Sequence, residues 1–174
     1  MLKIITINAG TAIAAFLLAS SAHAQAARNI LVQSTGLQCS TQAGSGSFAV
    51  ASWSVGASNV ALTTTGASGR ETVGKAQMGP VNLVRSFDEC SPALFGVLAS
   101  GMRLQTVTLN DRDAAGRPNI IVQLQNAYVS QYTVSDGGTS PVESLSLTYD
   151  RITITNTANG TKFCWDLTSL RSCS

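Results

Sequence analysis

From residue 29 onward the chain is a succession of short stretches in which apolar and polar residues alternate, the period-two signature of strands with one buried face. Ile30 to Leu37 and Phe48 to Val55 read as such strands, separated by a small-residue loop over 40–47. Gln77 to Phe87, Arg103 to Asn110 and Asn119 to Val134 continue the pattern, the last two joined by a polar turn from Asp111 to Pro118. Ile120, Val122 and Leu124 alternate with Ile121, Gln123 and Gln125, giving one apolar face and one mixed face. Between Glu143 and Thr157 the parity changes: Leu145, Leu147 and Tyr149 share one face, Ile152 and Ile154 the other. A bulge or bend is therefore expected at Asp150-Arg151. Asn159-Gly160 is the strongest hairpin signal, with Thr161 to Leu167 as the returning strand.

Two stretches depart from this rhythm. Between Cys90 and Gly101 the period becomes helical: Ser91 suits an N-cap, Pro92 the first helical position and Gly101 a left-handed C-terminus, while Asp88 and Glu89 lie at the positive end of the dipole. Leu94, Val97 and Leu98 recur at helical spacing, so one face should pack on a sheet. From Gly56 to Gly74 four glycines and a threonine run replace alternation, which predicts an extended hairpin or arm projecting from the body. Many short strands and one short helix make the fold class mainly β: a small antiparallel β-barrel with one short flanking α-helix, or a sandwich with a helix on one side.

The first residues belong to a different pattern. Met1 to Ala24 has a short basic n-region with Lys3, an apolar run from Ile4 to Leu18, and Ala22-His23-Ala24 as a cleavage site, which reads as a secretory signal peptide. The run is shorter than the roughly 18 to 20 residues a spanning helix needs. The expected organisation is a leader over residues 1–24 and one barrel domain over residues 25–174, exported to the periplasm or secreted, with no membrane span after cleavage.

Export changes how the remaining composition is read. Cys39, Cys90, Cys164 and Cys173 all survive cleavage and are expected to form two disulfides, each contributing about 2 to 4 kcal/mol. Three connectivities are open; the nine-residue spacing allows Cys164 and Cys173 to close the tail, leaving Cys39 for Cys90. Zinc is disfavoured because no Cys-x-x-Cys occurs. Loss of Lys3 leaves ten basic against nine acidic residues, too even a balance to hold a phosphate backbone, so nucleic acid is not an expected partner.

His23 is the single histidine, and it leaves with the leader, which removes Ser-His-Asp, Cys-His and HExxH chemistry. Lys75 and Lys162 read as solvated surface rather than as partners of a nucleophilic serine. Asp111, Asp113 and Gly116 imitate the start of a calcium loop, but Ala115 and Val122 stand where ligands are needed. Asp88 and Glu89 suit a helix dipole better than glycosidase chemistry, and Trp53 and Trp165 suit packing better than a sugar platform. No cofactor, metal or catalytic residue is expected.

In order along the chain, Ser52-Trp53-Ser54-Val55-Gly56-Ala57-Ser58-Asn59, Gly74-Lys75-Ala76, Asp88 with Ser91-Pro92-Ala93-Leu94, and Ala99-Ser100-Gly101 form a series. Val129-Ser130, Pro141 to Leu147, Tyr149-Asp150-Arg151-Ile152 and Trp165-Asp166 continue it. Over nearly all of Asn29 to Leu167 the chain resembles the haemolysin-coregulated protein (Hcp) family, the tube protein of bacterial type VI secretion. The resemblance implies a small β-barrel with one flanking helix, no enzymatic activity, and self-association into hexameric rings that stack into a tube carrying effectors. It also implies that the arm reaches a neighbouring subunit or ring, through Ala57, Ser58, Asn59, Thr63, Thr64, Thr65 and Arg70, and that Trp53 and Trp165 are structural. The four cysteines and the leader are additions to the family pattern. They suggest an alternative, an exported module that keeps the barrel and acts alone on a protein or envelope partner. If the leader is cleaved as expected, intact-mass measurement of the exported protein will give a chain beginning at Gln25; a mass retaining residues 1–24 would refute it.

Overall fold

Alternation along the chain resolves, in the computed structural model, into sixteen strands and one helix among the described residues, which are 29–59, 61–62, 72–73, 76–136, 138 and 140–173. The leader expected over residues 1–24 lies outside them. The first strands are β1 (Asn29–Ser34), β2 (Ser40–Thr41), β3 (Gly44–Ser45), β4 (Ser47–Val50) and β5 (Ser52–Ser54). The short strands β6 (Ala57–Ser58), β7 (Ala61–Leu62), β8 (Thr72–Val73) and β9 (Gln77–Met78) follow. After β10 (Val81–Ser86) and α1 (Ser91–Ser100) come β11 (Leu104–Arg112), β12 (Pro118–Ser135), β13 (Val142–Thr148), β14 (Arg151–Asn156), β15 (Lys162–Asp166) and β16 (Arg171–Ser172).

One antiparallel ladder path runs β5, β10, β13, β12, β11, β1, β4. Its two ends do not pair with each other, so the cylinder is not closed by hydrogen bonds. They are successive pieces of one stretch of chain: β4 pairs with β1, β5 pairs with β10, and between them the Ala51 N–H donates to Val84 O at 2.8 Å. The predicted strand from Phe48 to Val55 is thus a barrel corner, each half serving a different neighbour.

The long hairpin of β12 with β13 and β14 makes a second corner. The expected change of parity is present: Leu145, Leu147 and Tyr149 are buried on one register, Ile152 on the other. β12 changes parity at the same rung, with Val122 and Leu124 buried before it and Ala127 and Val129 after it. The residue between them, Asn126, has φ 53, a left-handed value that asparagine tolerates, and its Nδ2 donates to Asp150 Oδ2 at 3.0 Å. Register also slips in β12 between Val129 and Gln131. Beyond the corner, β14, β15 and β16 extend the sheet away from the barrel circuit.

Helix α1 lies against this barrel by the face the sequence predicts, with Leu94 and Val97 buried and Leu98 packed on the core. Its start is one residue earlier than expected. Cys90, not Ser91, occupies the cap position; Asp88 Oδ1 accepts the Cys90 N–H and Ser91 Oγ accepts the Asp88 N–H, each at 2.8 Å. Gly101 ends the helix at φ 63, with its N–H donated to Leu98 O at 3.1 Å. Both disulfides of the shortest-loop pairing are present: Cys39–Cys90 and Cys164–Cys173. The first joins the residue just before β2 to the start of α1.

Beneath that helix start lies a feature the strand pattern does not announce. Arg85 and Glu143 are direct partners across the β10–β13 ladder, and both side chains are fully buried. Nη1 of Arg85 approaches Oε1 of Glu143 at 3.1 Å as a charge contact without hydrogen-bond alignment. Asp88 pairs with the same guanidinium, whose carbon lies 4.6 Å from the centroid of Phe48, and the Tyr132 hydroxyl donates to Glu143 Oε2.

Removing one member of a buried pair leaves an uncompensated charge, whereas replacing both with apolar residues can be close to neutral. Arg85→Met, which leaves the buried Glu143 carboxylate with only the Tyr132 hydroxyl, should therefore lower unfolding free energy by about 3 to 5 kcal/mol. The Arg85→Met/Glu143→Leu double variant should recover more than half of that loss in denaturant titration; a double variant as unstable as the single one would refute this account.

Candidate functional site

The arm is built on a close approach of two glycines. Gly79 donates its N–H to Gly56 O at 2.8 Å, and a Cβ on Gly79 would stand 3.2 Å from that oxygen, so a side chain there would force the two backbones apart. Two short antiparallel ladders lead outward from this base, Ala57–Ser58 with Gln77–Met78 and then Ala61–Leu62 with Thr72–Val73. The hairpin or arm expected from Gly56 to Gly74 is thus a hairpin whose returning side runs on through Met78. Gln77 and Met78 are lost from the strand expected over Gln77 to Phe87, which begins instead at Val81.

Of the arm residues singled out by sequence, Ala57, Ser58 and Asn59 are exposed near its base. Thr63, Thr64, Thr65 and Arg70 lie outside the described residues, as does Lys75. One side chain missed by sequence reading fixes the base to the barrel. The Tyr149 hydroxyl donates to Gly79 O at 2.8 Å, and burial raises its pKa to about 12. Tyr149 follows the inward parity of Leu145 and Leu147, which hid its polar end.

The other candidate positions are structural. Trp53 Nε1 donates to Asp111 Oδ2 at 3.0 Å, tying β5 to β11. Asp113, the second member of the imitation calcium loop, instead caps its own turn: Oδ1 accepts the N–H groups of Ala115 and Arg117, each at 2.9 Å, and Oδ2 pairs with Arg117 at 2.9 Å. Asp88 is drawn to Arg85 rather than placed beside Glu89 for chemistry. Trp165 stacks on Phe163 with planes 5° apart, and Lys162 is exposed on β15. Among the described residues no group of three or more His, Cys, Asp or Glu could hold a metal ion, and no helix is long and apolar enough to cross a membrane.

The second set of surfaces is at the sheet margin. β16 covers part of β15, and the outer face beside it carries a depression open to solvent, lined by Gln123, Gln125, Arg151, Thr153, Lys162 and the Cys164–Cys173 bridge. Arg151 is engaged by Asp166, with Nη2 to Oδ2 at 2.8 Å. The Ser169 N–H, donated to the other oxygen, and the Arg151 hydrogen bond hold the Asp166 carboxyl down to about 2.

These features define a class of protein: a small antiparallel barrel with one side helix, a projecting arm and exposed sheet margins. Residues 31–155 match the family described as type VI secretion system effector, Hcp. The chain belongs to the Hcp family. Among solved structures it is similar to Hcp1 from Salmonella typhimurium, at 17% identity and a TM-score of 0.69, covering 84% of this chain and 99% of that one. It is also similar to a type six secretion system protein, at 18% identity and a TM-score of 0.68, covering 84% of this chain and 100% of that one. A likeness extends to a chain of a PVC sheath-tube complex from an extracellular contractile injection system, at 14% identity and a TM-score of 0.54, covering 74% and 88%. At these identities the structural likenesses establish the fold. Comparison with curated proteins finds no match.

The phenol of Tyr149 can hold the arm only while protonated. Because its folded pKa lies above the ordinary value of 10, its contribution is whole below pH 10 and is lost as pH rises through about 12. Tyr149→Phe should remove that dependence and raise amide hydrogen exchange at the arm base near Gly56 and Gly79, leaving the barrel strands protected; unchanged exchange at the base would refute the anchor.

Proposed function

We propose that this chain is a non-enzymatic tube subunit of a type VI secretion system that self-associates into hexameric rings able to stack, with secreted effectors or other components of the system as further partners. Membership of the Hcp family, over residues 31–155, is the observation that carries the reading. The likeness to a chain of a sheath-tube complex supports it at the level of fold.

In this reading the arm is the docking element. Its exposed base residues Ala57, Ser58 and Asn59, together with Thr63, Thr64, Thr65 and Arg70, would meet a neighbouring subunit. The short ladders of the arm suit backbone pairing across such a contact. The barrel supplies rigidity and needs no cofactor. Two disulfides favour a second reading, in which the protein works beyond the cytoplasm as a stand-alone module, periplasmic or secreted, bound to a protein or envelope component.

The arm can be removed at its base, because the backbones of Gly56 and Gly79 already touch. Native mass measurement of the oxidised protein should give a hexamer, with rings in negative-stain images, and deletion of residues 57–78 should give a folded monomer. A full-length protein that stays monomeric at high concentration would overturn the ring reading in favour of the stand-alone module, and a hexamer surviving the deletion would overturn the role of the arm.

A further inference from the structure

The sheet ends at β16, two residues long, laid on the outer edge of β15. Trp165 pairs with Ser172 and Asp166 with Arg171, and the Cys173 N–H extends the ladder one step by donating to Cys164 O at 3.1 Å. The Cys164–Cys173 bridge spans that last step, with Cα atoms 5.0 Å apart. A strand this short has little stability of its own. Its turn holds Leu170 at φ 53, a left-handed conformation that leucine disfavours, and the other described tie is the Ser169 N–H to Asp166. The disulfide is therefore the main lock on the segment that covers this edge, and an uncovered edge presents unpaired N–H and C=O groups.

The two disulfides differ in access. Cys90 is fully buried; its partner Cys39 is half-buried against the core and borders a depression whose lining, Gly36, Leu37, Gln38, Ser40 and Ser45, carries no cation. Cys164 and Cys173 are half-buried and border an open depression that also contains Arg151 and Lys162, cations that favour the thiolate leaving group.

We propose that the Cys164–Cys173 disulfide is a redox guard on an interaction edge, and that when a dithiol opens it β15 pairs antiparallel with β15 of a second copy of this chain. One thiolate of the dithiol attacks Cys173 Sγ, the Cys164–Cys173 bond breaks and Cys164 leaves as thiolate. The second thiol of the reductant then displaces Cys173, yielding two protein thiols and the cyclic disulfide of the reductant. Residues 169–173 are released and the edge of β15 is bare.

The strand is complementary to itself about Cys164. In that register Lys162 faces Asp166 of the second copy, Phe163 faces Trp165, and each relation occurs twice about a two-fold axis. Phe163 is 46% exposed, because β16 reaches only to Cys164, and the added strand would cover it. This edge is separate from the arm, so the proposal stands apart from ring formation.

Two measurements on the full mature chain test it. During titration with a dithiol, alkylation should label Cys164 and Cys173 before Cys39 and Cys90, and particle mass should rise with that first labelling. Labelling of Cys39 and Cys90 at the same reductant concentration, or no rise in mass, would overturn the guard. In Cys173→Ser, whose tail is unlocked, mild oxidation should give a Cys164–Cys164 cross-linked pair of chains. Adding Lys162→Asp, which sets acid against acid, should slow that cross-link at least tenfold, and Cys164→Ser should cross-link through Cys173 at least tenfold more slowly than Cys173→Ser does through Cys164. Equal rates in either comparison would refute the self-paired register.

Discussion

A guanidinium and a carboxylate, both with side chains wholly out of solvent, face each other across the β10–β13 ladder, and their burial constrains the elements around them. Neither can be left without a partner at that depth, so the surroundings are committed to satisfying them. Phe48 from β4 covers the face of the guanidinium, Tyr132 from β12 donates to the carboxylate, and Asp88 from the approach to α1 supplies a second anion. Tyr132 also meets Phe95 of the helix edge to face, with ring centroids 5.6 Å apart. One charged pair thus connects two sides of the barrel corner with the helix that caps it. Its net contribution to stability can be small even though the loss of either member is costly.

That cluster marks where reading the sequence was incomplete. The strands, the arm, the Asn159-Gly160 hairpin and the helical face of Leu94 and Val97 were legible because each rests on local period or turn chemistry. Arg85 and Glu143 were not singled out, since charged residues within alternating stretches are ordinarily solvated. A signal was present: Arg85 falls on the inward parity of Val81 and Leu83, and Glu143 on that of Leu145 and Leu147. What periodicity cannot supply is the partner, because pairing β10 with β13 is a relation between segments distant in the chain. The same limit applies to Tyr149, whose hold on Gly79 joins residues 70 positions apart. The resemblance to the Hcp family supplied the global arrangement that local rules could not.

The disulfides divide between these two kinds of order. Cys39–Cys90 reinforces the charged cluster, fastening the entry to β2 to the cap of α1, two residues from Asp88. It closes a sequence separation of 51, so it restricts the unfolded chain more than a short bridge does. Cys164–Cys173 closes a separation of nine and adds less by that route. Its greater effect is local, holding two residues of strand against an edge they would otherwise cover only transiently.

Why such an edge exists follows from the length of β12. Its 18 residues would span about 60 Å if straight, more than one side of a small barrel can use. The strand is accommodated by turning a corner at Asn126, where parity switches on both β12 and its return strand. Past that corner one half belongs to the barrel circuit through β13 and β10, while the other carries β14 and β15 beyond it. A circuit that joins its other ends through a single bent strand at Ala51 has no place for these added strands, so their outer margin must be covered by something else. The chain meets this constraint with a two-residue strand and a covalent bond: because a ladder that short is weak, the state of the bond, more than the ladder, decides whether the margin is closed.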